Sequence, residues 1–275
     1  MPNERSSIII SVFSTTPGIG KTITAINLSA GLAKAGYGVC LVDLDLQFGD
    51  VMNYLKLTSN RDISGAQKAI GSNEDAFNVN TFLSEYKCEY FTFSILPPPR
   101  YIRDAYQSDV ALIERVIKRL TYFDFVVLDL SSVFSALNLA MLDISTVINY
   151  VGVIDFLPAL KNYKVGYDTL IRFNYEESKI RLIENRSDSQ KLISGKDVER
   201  LLGEPFYHRL PNDYPSVIKS INTGKPLMLS APNSRLVNSF LELTGKYTNR
   251  QINFEPEEKK SGEGFFAKYF GALFK

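Results

Sequence analysis

The stretch VFSTTPGIGKTIT, residues 12–24, constrains this chain more than any other: an apolar run ends, a glycine-containing loop follows, and a helical pattern opens at Lys21. A strand that enters a helix through such a loop presents a nest of backbone N–H groups at the positive end of the helix dipole, where anions bind. Gly18, Ile19, Gly20, Lys21 and Thr22 would supply those donors, while Pro17 has no N–H to give. Lys21 would reach the β- and γ-phosphates of a nucleotide, and the Thr22 hydroxyl would ligate Mg²⁺. The candidate nucleotide-binding segment therefore runs from Thr16 to Ile23. A plain turn between strand and helix is the competing reading, and it predicts no ligand.

The same alternation continues along the chain. Strands are predicted over 8–13, 39–43, 90–96, 125–129, 146–152, 179–184 and 206–210, and helices over 21–35, 105–120, 158–173, 195–202, 214–222 and 234–248. Runs that are apolar on both faces, separated by helices, indicate a mainly parallel sheet covered on each side. At 275 residues, 45% hydrophobic and 22% charged, the chain can bury the core of one large α/β domain, expected to end near Arg250, and the loop before Lys21 makes it a phosphate-loop NTPase-type domain. Ligands on such sheets bind at the carboxyl ends of the strands. Three carboxylates are predicted there: Asp43 and Asp45 in CLVDLDLQFGD, and Asp129 in FDFVVLDLSS. They would face Mg²⁺ and an attacking water. A lone Asp closing a strand is often a helix cap; three beside a phosphate loop favour a site.

Composition narrows the partners. A formal net charge of +1 and a pI near 7.6 give no strong signal for nucleic acid. Cys40 and Cys88 are expected as reduced thiols in strand-like runs, which suits a cytosolic protein. No signal peptide is legible in MPNERSSIII, and the longest apolar stretch falls below the ~18 residues of a spanning helix. His208, the single histidine, excludes a His-based triad and reads as a strand residue. ILPPPRYIRD, residues 95–104, is expected to be a stiff loop after a strand.

Together TTPGIGKT, VDLDLQFGDV, YFDFVVLDL, LIENR and LPNDYPSVIKSINTGKPL resemble the MinD/ParA superfamily of deviant Walker ATPases. DLDLQFGDV and the block from Leu210 to Leu227 look most like its CpaE/TadZ branch, which positions pilus-assembly and secretion machinery. The resemblance spans roughly residues 6–248 and implies an ATP- and Mg²⁺-dependent homodimer. It assigns Asp43 to Mg²⁺ through water, Asp45 to the hydrolytic water and Asp129 to the metal, and makes Asn185, Arg186 and Pro211 candidates for the adenine site. Two departures stand out. The family's signature lysine, which reaches the partner's phosphates, falls at Thr16, and the Asp129 strand runs into DLSS where Asp-x-Pro is common. Loss of such a cation lowers the expected rate. That branch commonly carries a receiver-like domain ahead of the ATPase, so a natural short form and a fragment are both open readings.

The chain ends in GFFAKYFGALFK, after a charged, Gly-containing linker expected over 251–263. On a helix at about 100° per residue, Phe265, Phe266, Tyr269, Phe270, Leu273 and Phe274 share one half, and Lys268 and Lys275 lie opposite. Residues 264–275 are expected as an interfacial helix on the inner membrane, with docking on the chain's own domain as the alternative. The leading expectation is a cytoplasmic, peripherally attached ATP switch that localises a pilus or secretion apparatus, with a cell pole as one open placement. A DNA-partitioning ATPase and a non-hydrolysing ATP-bound scaffold are the competing readings.

Overall fold

Eight strands form one sheet in the order β3-β4-β2-β5-β1-β6-β7-β8 in the computed structural model, which describes residues 7–189 and 193–254. β1 (Ile8–Phe13) leads through the phosphate loop into α1 (Lys21–Lys34), and β2 (Val39–Asp43) follows. Next come α2 (Val51–Tyr54), α3 (Ile63–Ser72), β3 (Ser84–Lys87), β4 (Thr92–Leu96), α4 (Ile102–Ala105) and α5 (Val110–Lys118). β5 (Phe125–Asp129), α6 (Ala136–Ile144), β6 (Val147–Gly152), α7 (Leu157–Arg172) and β7 (Ile180–Asn185) continue the alternation. α8 (Gly195–Leu202), β8 (His208–Leu210), α9 (Tyr214–Thr223), α10 (Leu227–Ser230) and α11 (Arg235–Thr248) complete it.

Every pairing is parallel except β3 with β4, which closes one edge as a hairpin. Each residue of β2 and β5 is buried, because both faces of the sheet are covered. The period-two alternation divides the core accordingly. Ile10 and Val12 join the layer under α1 and α11, whereas Ile9 and Phe13 join the layer that includes α3, α5 and α6. α1 lies against α11 so closely that a Cβ on Gly31 would overlap Thr244. From β1 the chain runs outward to β2 and β4, returns to β5, and crosses to β6 on the other side of β1. That reversal opens a crevice beyond the carboxyl ends of the strands.

The expected α/β architecture is the one observed, with local differences. The single helix expected over 105–120 is instead α4 and α5, because Asp109 caps α5 by accepting from the Leu112 N–H at 3.0 Å. β3, α2, α3, α6 and α10 have no counterpart among the expected elements. Cys40 is buried in β2, but Cys88 lies in the β3–β4 turn; both are free thiols. The proline loop braces α3: the Pro97 carbonyl accepts from the Ile63 N–H at 3.0 Å, and the Arg100 N–H donates to Asp62 Oδ2 at 3.0 Å. His208 is buried with its Nε2 2.8 Å from the Ser239 carbonyl oxygen, and burial, helped by Lys246, holds its pKa down at about 4.

Structure continues past the expected boundary at Arg250. Ile252 and Phe254 pack against the core, and the Phe254 ring meets Tyr90 edge-on at 5.4 Å. Lys34, the last residue of α1, places its ammonium over both rings, 5.5 Å from Tyr90 and 5.4 Å from Phe254. The helix expected over 264–275 and the linker from residue 255 onward lie outside the described residues. Among the described residues, no helix is long and apolar enough to cross a membrane.

Candidate functional site

The loop between β1 and α1 is shaped by two left-handed residues, Gly18 at φ 71° and Gly20 at φ 98°. Gly20 has a second reason to lack a side chain, since a Cβ there would lie 2.6 Å from Asn185 Nδ2. Ile19 is buried and pins the loop to the core, while Pro17 and Gly18 are exposed. α1 starts with no capping side chain and no acidic residue in its first turn. Its N-terminal N–H groups and dipole are thus left for an anion.

Two side chains of the first turn point to specific partners. Lys21 Nζ donates to Ser132 Oγ at 2.5 Å, and Ser132 Oγ in turn donates to the Thr16 carbonyl at 3.2 Å. Ser14 Oγ also donates to that carbonyl, at 2.8 Å. Burial lowers the Lys21 pKa, and the charges of Asp129 and Asp45 oppose the shift. Thr22 Oγ1 donates to Asp129 Oδ2 at 2.7 Å. The other oxygen, Asp129 Oδ1, is buried and has no hydrogen-bond partner.

Asp129 sits beside Asp43, its register partner across β2 and β5. Burial raises the pKa of both. Asp43 is raised further by the Asp129 charge, and Asp129 reaches about 7 against the pull of Thr22 and Lys21. Asp43 is fully buried and spoken for: Oδ1 accepts from the Asp45 N–H at 3.2 Å and Oδ2 from the Val51 N–H at 3.0 Å. A Cβ on Gly49 would come within 2.5 Å of that carboxylate. Asp43 therefore organises the loop that follows β2. Asp45, half-buried, lines the cleft and accepts from the Phe48 N–H at 3.3 Å.

Asn185 and Arg186 come to the loop from the end of β7. Asn185 Nδ2 donates to the Ile19 carbonyl at 2.6 Å, and Arg186 Nη2 to the Gly18 carbonyl at 3.1 Å. Thr15, where a glycine would be usual, uses its hydroxyl: it donates to the Asn162 carbonyl in α7 at 2.7 Å and lies 2.7 Å from the Tyr150 hydroxyl. The phosphate loop is thus tied to β7 on one side and α7 on the other. A cleft of about 970 Å³ is lined by Gly18, Gly20, Lys21, Asp45, Ser132 and Arg186 among others, and by Asn185, Pro211 and Tyr214. Thr16, Ile19, Asp43 and Asp129 are not part of its lining.

The chain matches the CobQ/CobB/MinD/ParA nucleotide-binding domain family (CbiA) over residues 10–227. It belongs to that family. The septum site-determining protein MinD of Thermotoga maritima is 24% identical over 256 residues, covering 90% of each chain. A ParA family ATPase from Chlorobium tepidum superposes with a TM-score of 0.79 at 20% identity, covering 87% of this chain and 99% of that one. MinD from Pyrococcus horikoshii, solved with Mg-ADP, gives 0.73 at 22% identity, covering 88% and 96%.

The MinD/ParA-type site fits Mg²⁺ held jointly with a nucleotide. Among the described residues, no group of three or more His, Cys, Asp or Glu side chains forms a metal site by itself. Thr22 Oγ1 and the unpartnered Asp129 Oδ1 are two oxygens at the uncapped end of α1. Mg²⁺ commonly keeps several waters and takes substrate phosphates with only one or two protein groups. Lys21, Thr22, Asp43, Asp45 and Asp129 are all legible in the sequence, but the lysine's own partner is not. Ser132 is visible in the sequence only as the second serine of DLSS, and nothing local links it to a residue 111 positions earlier.

Proposed function

We propose that this chain is a nucleotide-gated switch that binds ATP with Mg²⁺, dimerises around it and hydrolyses it slowly. One observation carries the reading: the uncapped N-terminus of α1 brings Lys21 and Thr22 together with a buried Asp129 that has an unsatisfied oxygen. Bound Mg²⁺ would neutralise phosphate charge and relieve the crowding of Asp43 and Asp129. Lys21 would leave Ser132 for the phosphates, and Asp45, half-buried at the cleft, would orient the attacking water. Asp43 would contribute by holding the loop that carries Asp45. Thr16 brings no charge to the developing negative charge, which favours slow turnover. The same absence supports a second reading, in which ATP only stabilises a scaffold and is not turned over.

The biological setting extends this proposal. The sequence likeness of DLDLQFGDV and of the Leu210–Leu227 block to the CpaE/TadZ branch supports a switch that positions a pilus or secretion apparatus. The amphipathic pattern of residues 264–275 supports attachment to the cytoplasmic face of the inner membrane. Light scattering without nucleotide, with ADP and with ATP, with phosphate release measured in the same samples, tests the core. A dimer in ATP alone with slow release is expected. A single mass in all three states refutes the switch, and a dimer with no phosphate release selects the scaffold.

A further inference from the structure

The cleft has a shortage of positive charge. Phosphoryl groups bring several negative charges, and binding sites for them supply cations and N–H donors in compensation. Among the described residues lining the cleft, Lys21 and Arg186 are the only basic side chains, against the carboxylates of Asp45, Asp50 and Asp213. Thr16, two positions before Gly18, offers a hydroxyl and no charge.

Arg186 is already on the phosphate loop. Its Nη2 donates to the Gly18 carbonyl at 3.1 Å, next to the bond from Asn185 to Ile19. The residue holds this place in the left-handed region, at φ 54°, a conformation that carries a steric cost for any residue with a Cβ. A guanidinium has five N–H donors in a planar fork, and one carbonyl engages one of them. Among the described residues the Arg186 side chain makes no ion pair, so no carboxylate has to be given up for a phosphate oxygen.

We infer that Arg186 is the second phosphate-binding cation of this cleft, acting in the same chain beside Lys21, and that it does not read the base. The inference rests on the nucleotide-binding reading above. It reassigns the half of the Asn-Arg pair that likeness of sequence would give to adenine. The geometry separates the two roles: the bond to Gly18 fixes the guanidinium against the loop that cradles phosphates.

Calorimetric titration with Mg²⁺ tests this on wild type, Arg186→Gln and Arg186→Lys, using ATP, GTP and inorganic triphosphate. Gln can still donate to the Gly18 carbonyl but carries no charge, so it separates charge from loop bracing. Arg186→Gln is expected to weaken ATP, GTP and inorganic triphosphate by one common factor of about 10- to 100-fold, the loss of one charge-assisted hydrogen bond. The salt dependence of ATP binding should become shallower, and Arg186→Lys should recover part of the affinity. A loss confined to ATP would make Arg186 a base reader and overturn the inference. Unchanged affinity for all three in Arg186→Gln would reduce it to a loop brace and overturn the inference as well. If wild type binds neither ATP nor GTP, the nucleotide reading itself fails, a result distinct from either. Because Arg186 is only half-buried, the variants should melt with wild type; a Gln variant that unfolds leaves Lys against wild type, where an unchanged salt slope with lowered affinity is the expected sign of retained charge and a lost fork.

Discussion

Replacing Asp129 with Asn removes a charge that the fold holds at a cost. The carboxyl is buried beside Asp43, and burial above all lifts its pKa from 3.8 to about 7. A folded-state value above the unfolded one means that folding favours the protonated form. The stabilisation is therefore fully present below about pH 4, is lost progressively as the pH rises to about 7, and is absent above it. About three pH decades at about 1.4 kcal/mol each set a ceiling of about 4 kcal/mol. Asn is isosteric, does not titrate, and keeps an oxygen to accept from Thr22. It should match wild type near about pH 4 and exceed it near about pH 8, by up to about 4 kcal/mol. At about 2–4 °C per kcal/mol for a chain of this size, the melting temperature would rise by up to about 8–16 °C. Mg-ADP should then raise the melting temperature of wild type and barely move the variant, whose uncharged amide no longer attracts the metal. Thermal unfolding across that pH range, with and without Mg-ADP, reads both effects. A difference that does not change with pH, or a variant less stable than wild type near about pH 8, refutes the reasoning.

Lys21→Ala should abolish calorimetric binding of ATP with Mg²⁺, because no other side chain of the loop carries a positive charge; near-wild-type affinity removes the phosphate-loop assignment. Thr16→Lys should raise the phosphate-release rate of a dimeric sample, and an unchanged rate counts against the role of that position. Gly49→Ala would place a Cβ within 2.5 Å of the Asp43 carboxylate and should cost about 1–3 kcal/mol in urea denaturation; a silent substitution would mean that the loop after β2 is not held by Asp43. Phe270→Glu should abolish ATP-dependent sedimentation with liposomes while sparing the dimer, and equal pelleting with and without ATP would sink the coupling.

The parts of the fold legible in the sequence are those whose signal is local. β1, β2 and β5 are short runs buried on both faces, and the loop before α1 is marked by Gly18, Gly20 and Lys21. β3, SEYK, is a four-residue edge strand with one buried side chain, too short and polar to show a period. α6 is apolar on more than one side, so its pattern does not distinguish it from a strand or a loop. The break between α4 and α5 is signalled by Asp109, a capping residue inside a run that otherwise reads as one helix. At the site, residue types and spacing pick out Lys21, Thr22 and Asp129, whereas the bonds of Ser132, Asn185, Arg186 and Thr15 join positions more than a hundred residues apart. Only the folded chain brings those partners within reach.

The clamp of Lys34 on Tyr90 and Phe254 has a consequence for how the molecule can be divided. α1 begins at the phosphate loop and ends at that clamp, 14 residues later, a rod of about 21 Å. Phe254 is thus fastened at the pole remote from the chemistry. The rings of Tyr90 and Phe254 can therefore be substituted without touching a residue that lines the cleft. The phosphate loop and the aromatic fastening thus occupy opposite ends of one helix.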